Sequence, residues 1–208
     1  MTPDANGLYV FAVKRGFIER KRTDVSGTYS RVKNDSIYLY PAKKLGQIVS
    51  TFSGGTPSKI GTASDSYWKG TIPWVSPKDF KSFYLFDSED HITEKAIIDS
   101  STQIASANSV LVVVRSGILK HTLPVALNQV EVAINQDIKV LIPNDSVLPE
   151  YLGFYLKVFE TKILSLCVKH STTVQSVNTN EFLGLDIPIP PIPTQKKLIQ
   201  LMNDIGSL

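Results

Sequence analysis

The chain has 208 residues, of which 42% are hydrophobic, and its 22 basic and 19 acidic side chains give a formal net charge of +3. This length suits one domain with at most a short appendage, and a single cysteine excludes an internal disulfide and a cysteine-rich zinc site. Apolar runs such as residues 110–114 are far too short to span a bilayer. We therefore expect a cytoplasmic protein without a membrane role.

The positive charge is concentrated near the amino terminus, where residues 1–43 hold eight basic and four acidic side chains. Such a segment is either a solvated surface or a phosphate-contacting one. The net charge alone is only a weak indication of an anionic partner.

The first half of the chain predicts strands, a short helix and a long loop. Residues 7–13 and 36–40 favour strands because they are rich in aromatic and branched side chains. Helical spacing of apolar residues predicts a helix over residues 43–52. Residues 53–80 combine Gly, Pro, Ser, Thr and Trp in a way that predicts an ordered, functional loop.

The second half predicts a buried sheet and longer helices. Thr93 is typical of the cap of a short helix, residues 110–114 predict a strand buried on both faces, and residues 124–143 predict two more strands. Pro149 opens a predicted helix over residues 149–167. Together these elements favour an α/β or α+β domain with a mixed sheet.

The chain ends with a proline-rich segment and an amphipathic helix. Residues 187–193, "IPIPPIP", are either a stiff, packed connector or a ligand for an SH3-like partner, and their isoleucines favour the connector. The final helix needs a partner, either the surface of its own domain or the helix of a second copy, because about fifteen residues are marginally stable alone. Its apolar face consists of Leu198, Leu201, Met202, Ile205 and Leu208.

The sequence lacks the motifs of several known binding and catalytic sites. The glycine-containing segment at residues 54–61 has no Lys-Ser/Thr ending, so a nucleotide-binding phosphate loop is not predicted. The Asn/Asp-Pro-Pro-aromatic tetrapeptide of amino-group DNA methyltransferases is absent. Asp137 and Lys139 have the Asp-x-Lys form of a metal-dependent nuclease half-motif, with Glu131 upstream, which leaves a nuclease as the alternative hypothesis. We predict no cofactor and no metal site.

A set of ordered segments resembles the target recognition domain of type I restriction-modification DNA specificity subunits. The resemblance covers about residues 43–200 and is carried by "GGTPSK", "YWKGTIPWVSPKDF", "HITEKAI", "SVLVVVRSG", "INQDIKVL", "STTVQSVNTNEF" and "LDIPIPPIPTQKKLI". It implies a mixed-sheet recognition domain over residues 1–190, then a proline connector and the start of a spacer helix over residues 191–208.

The resemblance also implies a function and partners. Such a domain recognises one half of a bipartite sequence in double-stranded DNA, while separate methyltransferase and restriction subunits carry the catalysis. A complete specificity subunit resembles two recognition domains joined by long helices, whereas this sequence has one, so we expect a half-length subunit or a fragment. A homodimer through the terminal helix would supply the second half-site.

Three segments are the predicted DNA-binding sites, because small polar residues let the backbone approach phosphates and charged or amide side chains contact base edges. Trp68 and Trp74 are predicted to anchor the loop or core rather than stack on bases. Gln136 fits the family pattern and is predicted to brace the fold internally. The predicted DNA-binding residues are Gly54, Gly55, Thr56, Ser58, Lys59, Lys78, Arg115, Ser116, Lys120, His121, Lys169, His170, Ser171, Thr172, Thr173 and Gln175.

Some of these assignments have alternatives. Residues 54–59 are either DNA-facing or a structural turn with Gly54 at positive φ. Lys59 and Lys78 are either phosphate contacts or solvated lysines. Arg115 pairs either with guanine O6 and N7 or with a nearby Asp, and Gln175 either contacts adenine or caps the preceding helix.

Overall fold

The computed structural model describes residues 40–60, 66–169 and 174–204. The predicted strand at residues 7–13 and nearly all of the one at residues 36–40 lie outside this part, as does most of the basic segment. The described strands are β1 (Ala42–Lys44), β2 (Val49–Ser53), β3 (Trp68–Val75), β4 (Tyr84–Leu85), β5 (Asp90–Ile92), β6 (Gln103–Ala105), β7 (Val110–Val113), β8 (Val125–Asn128), β9 (Val132–Ile134), β10 (Ile138–Pro143), β11 (Val168–Lys169), β12 (Ser176–Val177) and β13 (Asp186–Pro188). The helices are α1 (Leu45–Ile48), α2 (Glu94–Ile98), α3 (Pro149–Val158), α4 (Glu160–Cys167), α5 (Thr179–Leu183) and α6 (Ile192–Asp204), with 3₁₀ turns at Pro77–Asp79 and Gly117–Lys120.

The larger sheet has five strands in the order β2-β10-β7-β8-β4, and its neighbouring strands are antiparallel except for the parallel pair β4 and β8. All four residues of β7 are buried, which confirms the predicted strand with apolar surroundings on both faces. Val110 and Val112 face one hydrophobic cluster, and Leu111 between them faces another.

A four-stranded sheet in the order β5-β3-β9-β6 packs on the face of the larger sheet that carries Leu111. Val75 of β3 and Ile134 of β9 share a buried cluster with Leu111. The other face of this sheet buries Trp74 together with Ala96 of α2. The layers are therefore the longer helices, the five-stranded sheet, the four-stranded sheet and α2, and the predicted mixed α/β class is confirmed.

The helix α3 covers the other face of the larger sheet, where Leu152 joins the cluster of Val110 and Val112. Pro149 occupies its first turn, as predicted. The predicted helix over residues 149–167 is two helices, because the backbone leaves the helical region at Phe159, with φ −101° and ψ 14°.

The start of α4 is held by its own contacts with the β8 side of the sheet. The Glu160 carboxylate accepts hydrogen bonds from the Thr122 hydroxyl at 2.8 Å and from the Leu123 N–H at 3.1 Å. The Phe159 ring packs 4.6 Å from the Tyr155 ring. These contacts favour a new helix start over continuation of α3.

Three predicted elements differ from the structure because distant pairing partners override local pattern. The helix predicted over residues 43–52 is confined to α1, since β2 pairs with β10 and places Phe52 opposite Val140. The loop predicted over residues 53–80 contains β3, which has β5 on one side and β9 on the other. The two strands predicted over residues 124–143 are three, β8, β9 and β10.

Two local predictions are confirmed. The Thr93 hydroxyl accepts a hydrogen bond from the Ala96 N–H at 3.3 Å and caps α2. The proline segment is a packed connector, because β13 pairs with β1, Ile187 is buried, and the Tyr151 hydroxyl donates to the Pro188 carbonyl at 2.8 Å.

The terminal helix α6 packs on its own domain. Leu198, Ile199 and Met202 are buried in the cluster that includes α3, while Ile205 and Leu208 lie outside the described residues. The side chain of Gln195 is completely buried and makes three hydrogen bonds. Its oxygen accepts from the Leu148 N–H at 2.8 Å, and its nitrogen donates to the carbonyls of Ser146 at 2.9 Å and Pro190 at 2.8 Å. Among the described helices, none is both long enough and apolar enough to cross a membrane.

We expect Gln195→Ala to lower the free energy of unfolding by about 1–3 kcal/mol, because it leaves the partly buried Leu148 N–H and two carbonyls without their partner. Urea unfolding of both proteins measures this change. The matched control is Gln200→Ala on the same helix, where an exposed side chain donates to Asp204, and its expected change is below about 0.5 kcal/mol. Equal losses in the two variants would contradict the anchoring role of Gln195.

Candidate nucleic-acid interface

Four strands end at one edge of the two sheets. The start of β10 lies beside the ends of β2 and β7, since Lys139 pairs with Ser53 and Ile138 pairs with Val113. The parallel strands β3 and β9 also end together, and the Gly55 N–H joins the two sheets by donating to the Ile134 carbonyl at 3.1 Å. We call the surface formed by residues 54–60, 76–80, 114–117 and 135–137 the loop edge.

The two glycines at the start of the first loop are required by close packing. A Cβ atom on Gly54 would overlap the Ile134 carbonyl oxygen, and one on Gly55 would overlap the Ser101 side chain. Neither glycine has a left-handed φ, so the proposed structural turn with Gly54 at positive φ is wrong. Both backbones approach protein atoms here, which fixes the loop against β9.

The exposed part of this loop is held by side-chain contacts. The Thr56 hydroxyl donates to the Gln136 side-chain oxygen at 2.6 Å. Gln136 therefore braces the loop, but it is exposed, so the prediction of an internal position is wrong. The Ser58 hydroxyl donates to the Ile60 carbonyl at 3.0 Å, and the Ser58 carbonyl accepts from the Trp68 indole at 3.0 Å.

The tryptophans anchor the loop, as predicted. Trp74 is buried and donates its indole N–H to the Gly55 carbonyl at 3.1 Å. Trp68 meets Trp74 edge to face, with ring centroids 5.2 Å apart. The Lys59 ammonium lies 4.6 Å from the Trp68 ring centroid and 5.5 Å from that of Trp74, in cation–π geometry. The exposed Lys59 cation is therefore positioned by aromatic rings.

Lys78 has a different environment from Lys59. Its ammonium lies 3.1 Å from carboxylate oxygens of both Glu89 and Asp90, and hydrogen bonds to Asp90 and then Glu89 raise its pKa. The nearby Asp79 carboxylate accepts from the N–H groups of Ser76 and Glu89 and fixes the 3₁₀ turn. The charge of Lys78 is therefore paired with carboxylates of the same chain.

The predicted segment after β7 lies at the loop edge and touches the third predicted segment. Arg115 is exposed and forms a backbone bridge with Ser176, and the Ser116 N–H donates to the Gln175 carbonyl at 3.1 Å. Lys120 ends the 3₁₀ turn and His121 follows it, and both side chains are exposed. The structure therefore brings two of the predicted segments into direct contact.

The third segment is described only in part. Lys169 ends β11, its side chain is outside the described part, and His170, Ser171, Thr172 and Thr173 lie outside it entirely. The side chain of Gln175 is only 1% exposed, so it is not available to a base edge in this conformation, contrary to the prediction. Gln175 lies next to the backbone bridge between Arg115 and Ser176, a long-range pairing that the sequence did not indicate.

The sequence interpretation missed part of the surface. A shallow depression at the loop edge is lined by Pro77, Arg115, Ser116, Gly117, Gln136, Asp137 and Val174. Asp137 was considered only as a nuclease residue and Gln136 only as a brace. The available signal was their position directly after a buried strand, the same signal that singled out Arg115.

The geometry does not favour the nuclease alternative. Glu131 precedes β9 and Asp137 follows it, while Lys139 lies within β10 between two neighbouring strands. Burial lowers the pKa of Lys139; burial raises the pKa of Asp137, and the nearby Arg115 opposes that rise. Among the described residues, no three His, Cys, Asp or Glu side chains are grouped to hold a metal ion.

The chain belongs to the type I restriction-modification DNA specificity domain family, because residues 40–207 match the family model. It is 37% identical over 167 residues to the specificity subunit of the type I restriction enzyme EcoR124I/EcoR124II from Escherichia coli, a match that covers 80% of this chain and 41% of that protein. It is 31% identical over 206 residues to the MjaIX specificity subunit from Methanocaldococcus jannaschii, covering 96% of this chain and 44% of that one.

Solved structures have the same fold. An HsdS subunit from Thermoanaerobacter tengcongensis aligns with a TM-score of 0.60 at 17% identity, covering 96% of this chain and 43% of that one. A chain from a structure of the type I R-M system aligns with a TM-score of 0.65 at 18% identity, covering 96% and 44%. The chain thus spans less than half the length of these relatives. None of these matches supports a nuclease.

We expect Gly54→Ala to lower the free energy of unfolding by about 1–3 kcal/mol or more, because the new Cβ collides with a backbone carbonyl that cannot move without disturbing β9. Gly117→Ala is the matched control at the same edge, since a Cβ there meets nothing within 4 Å. Thermal and urea unfolding monitored by circular dichroism compare the two. A tolerated Gly54→Ala would show that the loop is not packed as described.

Proposed function

We propose that this chain is a sequence-specific DNA-recognition domain of a type I specificity subunit that binds one half of a bipartite site and has no catalytic activity of its own. The observation that carries the proposal is the convergence of loops from four strands into one edge that exposes Thr56, Lys59, Arg115 and Gln136, in a chain of this family. The rigid strands below hold these side chains in fixed relation, as recognition of a duplex requires.

The exposed groups fall into the two classes that DNA recognition uses. Lys59 and Lys120 carry exposed cations suited to phosphate oxygens. The hydroxyl protons of Thr56 and Ser58 are donated to Gln136 and Ile60, so their oxygens remain as acceptors for amino groups of bases. Arg115 follows directly after β7 and is suited to a base edge. The proposed set of DNA-binding residues therefore omits Gln175. Lys78 is not proposed as a phosphate contact, because it is paired with Glu89 and Asp90.

The proposed partners are double-stranded DNA, a methyltransferase subunit and a restriction subunit, in the cytoplasm. One recognition domain neutralises few phosphates, so its own affinity for DNA is low, and the assembly supplies the second half-site. A homodimer through the terminal helix would have to use the half-buried Leu201, Ile205, Leu208 or the polar side of α6, because Leu198 and Met202 are buried within the domain.

The proposal predicts salt-sensitive binding of the purified chain to random-sequence duplexes, followed by enrichment of a short motif of about three to five base pairs on selection. Fluorescence anisotropy at several salt concentrations measures the affinity, and sequencing of the bound fraction identifies the motif. Binding without enrichment would contradict sequence recognition. Magnesium-dependent cleavage by the chain alone would contradict the non-catalytic assignment and favour the nuclease alternative.

Lys59 and Lys78 are expected to differ in this assay. Lys59→Ala should reduce the slope of log affinity against log salt by about 0.9, since one phosphate contact is lost. Lys78→Ala should leave the slope unchanged, because Glu89 and Asp90 already oppose that charge. An equal reduction in both variants would show that the Lys78 ion pairs open on DNA.

A further inference from the structure

The depression at the loop edge contains two opposite charges that do not pair with each other. Arg115 and Asp137 both line it, and they are close enough for the guanidinium to act on the Asp137 pKa. No ion pair or side-chain hydrogen bond occupies either group within the described part of the chain. The hydrogen-bonding capacity of both groups is therefore available to a ligand.

Backbone hydrogen bonds hold both residues in place at the depression. The Val114 N–H donates to the Asp137 carbonyl at 2.8 Å, and the Asp137 N–H donates to the Asn135 side chain at 2.9 Å. Arg115 is fixed by its bridge to Ser176 and by the following Ser116–Gln175 bond. These bonds fix the backbone positions of Arg115 and Asp137 relative to each other.

The depression has open space in its lining. Gly117 lines it together with Arg115, and a Cβ built on Gly117 meets no heavy atom within 4 Å apart from its chain neighbours. Gln136 also lines it and is held by the Thr56 hydroxyl at 2.6 Å. A planar group can therefore reach Arg115 and Asp137 together.

The charge pattern selects among the chemical groups of DNA. A phosphate offers only acceptors, so Asp137 would repel it. A guanine offers two acceptors, O6 and N7, which match a guanidinium, and its partner cytosine offers the N4 amino donor, which matches a carboxylate. An adenine–thymine pair offers no base with two adjacent acceptors in the major groove.

We propose that Arg115 and Asp137 together recognise one G·C base pair in the major groove, with Arg115 donating to guanine O6 and N7 and Asp137 accepting from cytosine N4. This inference rests on the proposed DNA-recognition function and makes Asp137 a specificity-determining residue. Asp137 also disfavours nonspecific placement of a phosphate in the depression.

The test begins with selection of bound sequences from a random duplex library by the wild-type chain, Arg115→Ala and Asp137→Ala. The expected result is a wild-type motif with a G·C pair that both variants relax at the same position, by about 5- to 140-fold in discrimination. Asp145→Ala is the matched control, since Asp145 is exposed beyond the opposite end of β10, and it should leave the motif unchanged.

Modified bases then assign each contact. A duplex with 7-deazaguanine at the selected position lacks N7 and should weaken the wild type but not Arg115→Ala. A duplex with N4-methylcytosine there should weaken the wild type but not Asp137→Ala. Arg115→Lys keeps the charge and loses the planar fork, so it should preserve the salt dependence and lose the preference for guanine. This conservative variant and thermal unfolding of all the proteins separate recognition from misfolding.

The outcomes distinguish the inference from the function on which it rests. A wild-type motif that neither variant alters, or variants that relax different positions, would overturn the joint recognition of one base pair while the DNA-binding function stands. A wild-type chain that binds no duplex even at low salt would overturn the proposed function, and this inference with it.

Discussion

The pairing of β10 between β2 and β7 is the constraint on which the remaining structure depends. Val140 in this strand lies opposite Phe52 on one side and Leu111 on the other, so three distant segments of the chain are joined in one register. Burial of Val140 and Leu111 against the second sheet contributes the apolar free energy that fixes that register. A slip by one residue would turn these side chains towards the helices and would displace the loop edge.

The loop edge is rigid because its backbone packs closely against neighbouring protein atoms. Gly54 and Gly55 let β2 continue into a loop that touches the β9 backbone, and the Trp74 indole bonds to the Gly55 carbonyl. These contacts fix the loop before any ligand arrives, so less ordering free energy opposes binding. The two lysines there have different electrostatic surroundings: carboxylates of Glu89 and Asp90 lie beside the Lys78 ammonium, whereas the Lys59 ammonium lies over aromatic rings.

Side-chain contacts at both ends of the helix α6 hold it on the domain that precedes it. Gln195 is buried at one end, and near the other end the Tyr84 hydroxyl donates to the Glu150 carboxylate at 2.7 Å and lies within hydrogen-bond distance, 2.8 Å, of the Asn203 side chain. Burial and the Glu150 hydrogen bond raise the pKa of Tyr84 to about 12, so this tie is intact at neutral pH. The direction in which α6 extends from the sheets is therefore fixed by the core.

The sequence by itself determined the elements whose signal is local: the fully apolar β7, the Thr93 cap, the start of α3 at Pro149 and the packed proline connector. It also placed Arg115 at the end of a buried strand. Only the tertiary structure decided that Val49–Ser53 and Trp68–Val75 are strands, that Gln175 is buried, and that Asp137 stands beside Arg115. The physical reason is that strand pairing and burial depend on partners far along the chain, whereas caps, proline positions and apolar runs act within a few residues.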